Sequence, residues 1–135
     1  MTQELVALVL LAIMAGGLWI PFIVAINTQD TNGETADAFV VPPRIERMPP
    51  HMRRLHRAHL NLLEQLLPFA LMVLIAQQIG LSNTVTVVTA WLFLALRIAH
   101  AIVMMTGKPR WALRPIIFTM GFACILVFGV QLLMA

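Results

Sequence analysis

Residues 5–26 read LVALVLLAIMAGGLWIPFIVAI, 22 residues without a single charge. A helix rising ~1.5 Å per residue would carry this stretch across roughly 33 Å, enough for a hydrocarbon core of about 30 Å. The only charge before it is Glu4. A secretory signal has a basic leading segment and an apolar core of ~7–15 residues, so this stretch reads as a retained membrane helix instead. Trp19 and Pro21 fall toward its far end, where an interfacial ring and a local kink are tolerated.

The rest of the chain follows the same rule. Of its 135 residues, 60% are apolar and 11% charged, against about 45–50% and about 25% in soluble domains. Such a chain has too little polar surface to coat itself for water, and a bilayer is the solvent that suits it. Three more apolar segments cover about 60–79, 84–105 and 115–134. The second helix should start near Pro50, because proline suits the first helical position, and run through His56 and Glu64 to about Gln78. Gly80, Ser82 and Asn83 make one short turn, and Gly107-Lys108-Pro109-Arg110 another. Residues 27–50 form the one long polar loop, holding Asn32-Gly33, four of the six acids and four of the eight prolines. The expected fold is all-α: a single four-transmembrane-helix bundle over residues 1–135, without internal repeats.

Charge sets the orientation. The basic residues are Arg44, Arg47, Arg53, Arg54, Arg57, Arg97, Lys108, Arg110 and Arg114. Five fall between the long loop and the start of the second helix, and three in the 107–114 segment. The termini and the 79–83 turn carry none. Basic connections stay in the cytoplasm, so both termini should face the opposite side and the arginines should form one electropositive rim.

Some polar residues lie where a bilayer should reject them. Arg57, Asn61 and Glu64 follow an i, i+4, i+7 spacing, which puts them on one face of the second helix, with Pro68 continuing it. A carboxylate at such depth costs roughly 2.5–3.5 kcal/mol, so Glu64 should face the bundle interior, a subunit interface or a wet cavity. Arg97, His100 and Met104 share a face of the third helix. Two readings stand side by side: Glu64 and Arg97 pair to lock the bundle, or they bind a charged ligand. Arg53, Arg54 and Arg57 oppose the dipole at the start of the second helix, so an anion should compensate them, either lipid headgroups or an anionic ligand. Cys124, the only cysteine, reads as a small packing residue. No metal-ligand spacing, Ser-His-Asp arrangement, phosphate loop or haem attachment motif is present, and neither a metal nor a nucleic-acid partner is expected.

The segment Arg57-Ala-His-Leu-Asn61-Leu-Leu-Glu64-Gln-Leu-Leu-Pro68-Phe69 resembles the second-helix signature of the MAPEG family, the membrane-associated proteins in eicosanoid and glutathione metabolism, here in a bacterial-type form. Arg97-Ile-Ala-His100 is similar to that family's third-helix motif, and Gly107-Lys-Pro-Arg110 with Arg114 to its next turn and fourth helix. The resemblance implies a homotrimer in a bacterial inner membrane, with glutathione as thiol cosubstrate bound between protomers near the cytoplasmic side. It assigns Arg57, Asn61, Glu64, Arg97, His100 and Arg110 to glutathione binding, and Arg114 to stabilising the thiolate. A thiol has a pKa near 8.5, and an adjacent guanidinium lowers it. Leu60, Met104, Pro115 and Phe118 depart from residues that glutathione-using members carry, and the chain has no tyrosine.

The expected function is therefore a glutathione-dependent transferase or peroxidase acting on apolar electrophiles that arrive through membrane lipid. One alternative is a non-catalytic membrane protein binding an anionic lipid or a thiol metabolite at the same site. Another is a small proton-coupled exporter with Glu64 as its proton site, a reading that Arg97 and the arginine rim oppose.

Overall fold

A computed structural model of the chain describes residues 1–28, 45–107 and 112–135. Four helices account for nearly all of them: α1 (Gln3–Asn27), α2 (Pro50–Ile79), α3 (Thr84–Thr106) and α4 (Leu113–Leu133), with one 3-10 turn at Ile45–Arg47. All four are long and apolar enough to cross a membrane. α2 opens with Pro50 in its first turn and runs on through Pro68. It ends at Gly80, whose φ of 73° is one that L side chains rarely adopt. The Leu81 N–H then reaches back to the Ala76 carbonyl at 2.8 Å, closing the last turn in the manner of a left-handed helix cap. α3 starts three residues later with a reciprocal cap, in which the Asn83 side chain accepts from the Thr86 N–H and the Thr86 hydroxyl accepts from the Asn83 N–H.

α1 and α4 each pack on the α2–α3 pair. The core lies where the four helices meet. Phe69 of α2 stacks on Phe93 of α3 with ring centroids 4.2 Å apart, and meets Phe128 of α4 edge-on at 5.5 Å. Ala7, Leu11, Val73 and Ala90 fill the space between. The outward faces are as greasy as the core: Ile13, Leu67, Val88 and Leu126 are all more than half exposed. Helices apolar all round suit a bilayer, where lipid covers the outside.

At the end of the bundle away from the arginines, polar side chains tie the helices together. Glu4 of α1 is buried. Its carboxylate accepts from the Thr86 hydroxyl at 2.5 Å and the Ser82 hydroxyl at 3.0 Å. Asn83 donates to Gln131 of α4 at 3.1 Å, and Thr2 to Gln77 of α2 at 3.3 Å. The carboxylate therefore sits at the N-terminus of α3, where the helix dipole favours negative charge.

Candidate functional site

The helical period separates the polar residues of α2 into two sets. Arg57 and Glu64 are exposed on the outer surface of the protomer, with Asn61 half-buried between them and Pro68 one turn beyond. One residue further round, Gln65 is buried and points at α4, where its amide donates to the Phe118 carbonyl at 3.0 Å. Among the described residues the Arg57–Asn61–Glu64 stripe is thus a face of α2 that the bundle covers only in part.

Arg97 is placed differently. It is only 1% exposed and is among the largest fully buried side chains. Its guanidinium donates through Nη2 to the Ile117 carbonyl of α4 at 3.1 Å. It lies over the rings of Phe93 and Phe118, 5.4 Å and 5.6 Å from their centroids, where the electron-rich faces attract a cation. The reading in which Glu64 and Arg97 lock the protomer through an ion pair is not what the fold displays. Glu64 faces outward, Arg97 faces the core, and among the described residues no carboxylate meets the guanidinium. Nε and Nη1 of Arg97 and Oε1 of Gln65 are buried without a hydrogen-bond partner among the described residues.

Gly121 makes this arrangement possible. A Cβ there would fall 2.6 Å from Oε1 of Gln65 and 2.7 Å from Cζ of Arg97, and closer still to Nη2. Only a residue without a side chain lets the amide and the guanidinium approach α4 together. Cys124, one turn on, is buried and within electrostatic range of Arg97.

His100 is buried one turn below Arg97, its ring 5.8 Å from that of Phe118. Met104 closes the same face and is buried. Arg114 is exposed in the first turn of α4, next to Pro115. Arg110, with Arg44 and Lys108, lies outside the described residues.

The arginine-bearing end gathers further groups. His56 of α2 stacks on Phe22 of α1 with centroids 3.9 Å apart and planes 11° from parallel. The Arg54 guanidinium lies against Gly107 at the end of α3, where a Cβ would come within 2.8 Å of Cζ. The start of α2 and the turn after α3 are therefore neighbours, so the two basic segments share one end of the bundle. Among the described residues no group of three His, Cys, Asp or Glu could hold a metal ion.

Three residues that the structure brings into prominence carry no sequence signal strong enough to find them: Gln65, Gly121 and Glu4. An uncharged amide beside Glu64 and one glycine in an apolar run attract no attention from charge or spacing. Glu4 stands in sequence as the sole charge before the first apolar run, and only the fold brings it to Ser82 and Thr86.

The family model of the MAPEG family matches residues 6–134. Neither a curated protein nor a solved structure matches the chain.

Proposed function

The chain belongs to the MAPEG family, and from that premise we propose that it is a glutathione-dependent membrane enzyme, a transferase or peroxidase acting on apolar electrophiles. One observation carries this reading: a carboxylate, an amide and a guanidinium (Glu64, Asn61 and Arg57) stand on one face of a membrane-spanning helix and turn away from their own bundle. A charge left against lipid at such depth costs roughly 2.5–3.5 kcal/mol. A second copy of the chain laid over this face would remove that cost, and family resemblance makes the assembly a homotrimer with a site at each junction.

The donor set fits glutathione, a tripeptide with one ammonium group and two carboxylates. Glu64 takes the ammonium, Arg57 a carboxylate, and Asn61 the peptide backbone between them. Arg110 is assigned by resemblance to a further contact at the rim. By resemblance His100 and Arg97, on the face of α3 beside Phe118, complete the binding set. The thiol supplies the nucleophile. Arg114 favours its ionised form, because a guanidinium stabilises the adjacent thiolate, and the displaced proton passes to water at the rim. Apolar electrophiles reach the site through the lipid that surrounds the helices. The arginine-bearing loops are taken as cytoplasmic and both termini as lying on the other side, in a bacterial inner membrane.

A second reading is favoured by Met104, Pro115 and Phe118, which depart from the residues of glutathione-using family members, and by the absence of any tyrosine. In that reading the same arginines hold an anionic lipid or a thiol metabolite without turnover.

The test is thermal stability of the purified protein against glutathione concentration, with Glu64→Gln beside it. A one-site ligand at about 100 times its dissociation constant adds roughly 2.7 kcal/mol. A saturable rise that the variant loses, followed by conjugation of 1-chloro-2,4-dinitrobenzene or reduction of cumene hydroperoxide, supports the enzyme. Binding without either activity favours the second reading, and no rise at millimolar glutathione removes glutathione from both.

A further inference from the structure

We propose that Gln65 and Gly121 are positioning residues that fix the first turns of α4, and with them the place where Arg114 stands. The inference rests on the reading of Arg114 given above.

Among the described residues the start of α4 is lightly held. Its N-cap, Ala112, makes no side-chain cap bond. Residues 112–116 are all exposed, and Ile117 is the first buried residue of the helix. Packing therefore holds the arginine-bearing turn less firmly than the turns that follow. The carbonyls of Ile117 and Phe118, three and four residues after Arg114, are gripped by two other helices. α3 supplies Arg97 and α2 supplies Gln65, and Gly121 lets both come close. Two grips from different directions set the rotation and the height of α4 against the α2–α3 pair.

The energetics separate positioning from stability. In an α-helix the Phe118 carbonyl already accepts from the N–H four residues on, so Gln65 gives it a second bond and not its only one. The buried Oε1 of Gln65 has no partner among the described residues, and an unmade buried hydrogen bond is unfavourable. Gln65→Leu thus removes one orphaned atom and creates none. Apolar packing is commonly at least as stable as buried polar groups of the same size. Losing Gln65 should leave the fold as stable as before while releasing the arginine-bearing turn.

The experiment uses the full chain in lipid nanodiscs, comparing the native protein with Gln65→Leu and Gly121→Ala. Three quantities are read: the thermal midpoint, amide hydrogen exchange over residues 112–121, and kcat and KM for glutathione with 1-chloro-2,4-dinitrobenzene. For Gln65→Leu we expect an unchanged or higher midpoint, faster exchange in the first turns of α4, and kcat lower by about tenfold with KM nearly constant, since small misplacements of a reacting group cost one to two orders of magnitude. Gly121→Ala should speed the same exchange by displacing both side chains. For Gln65→Leu a midpoint that falls in step with activity, or for both variants exchange that is unchanged, overturns the proposal. Absence of turnover in the native protein counts against the enzyme reading alone, because the exchange result still decides whether Gln65 and Gly121 hold the turn.

Discussion

Glu64 and Gln65 are adjacent in sequence, yet one is exposed on the outside of the protomer and the other is buried against α4, bonded to the Phe118 carbonyl at 3.0 Å. The 100° step between consecutive helical residues is enough to turn one side chain outward and the other into the bundle. The two should therefore respond differently to substitution.

Glu64→Gln should not lower the thermal midpoint of the protein in the absence of glutathione, because it removes a charge from membrane depth and keeps the side chain's shape. It should weaken the glutathione-dependent rise in that midpoint by at least an order of magnitude in concentration, because the ammonium partner is lost. A drop in the midpoint without glutathione, accompanied by dissociation on size exclusion, would show that Glu64 holds copies together and binds no cosubstrate.

Arg114→Ala should lower kcat/KM for conjugation and move the rising limb of the rate–pH profile upward. The sign follows from the charge: a guanidinium beside the thiol lowers its pKa, so removal returns ionisation toward the free value near 8.5. Rates of native and variant should converge at high pH. Parallel profiles offset by a constant factor would mean that Arg114 acts otherwise.

Gly121→Ala should destabilise the protein by about 1–3 kcal/mol, the usual cost of overpacking a filled core. The added methyl would meet Arg97 and Gln65 at once, and displacing the two buried side chains is what costs. Chemical or thermal denaturation in mild detergent measures this directly.

Much of the fold is legible in the sequence. Four long apolar runs separated by Gly80–Asn83 and by two basic, proline-containing segments leave few alternatives, because a bilayer demands that every backbone group be bonded within its own helix. The exposed stripe of Arg57, Asn61 and Glu64 is equally readable, since i, i+4, i+7 spacing fixes a face. What spacing cannot supply is the direction in which that face points. Glu64 and Arg97 have opposite charges and lie on consecutive spans, so pairing them is the natural inference, and only the packing of α2 and α3 separates them. Gln65 and Gly121 were illegible because their importance comes from a contact with α4, more than fifty residues from Gln65 in the chain.

Glu4→Ala should cost about 1–3 kcal/mol, because the Thr86 and Ser82 hydroxyls lose a charged acceptor. Glu4→Gln should recover part of that loss through its side-chain carbonyl. Equal midpoints for both variants and the native protein would mean that the tie adds nothing to stability. Glutathione affinity should be the same in all three, since Glu4 lies at the end of the bundle away from the arginines.

That tie makes the two ends mechanically unequal. Hydroxyl, amide and carboxylate groups stitch α1 to the α2–α3 turn, and α3 to α4, at one end. At the other, α1 meets α2 through the His56–Phe22 ring contact, and α4 begins without a cap. Those ties lie at the end opposite the arginines. A bulky lipophilic molecule sliding in sideways from the bilayer would break none of them by parting the helices at the arginine-bearing end.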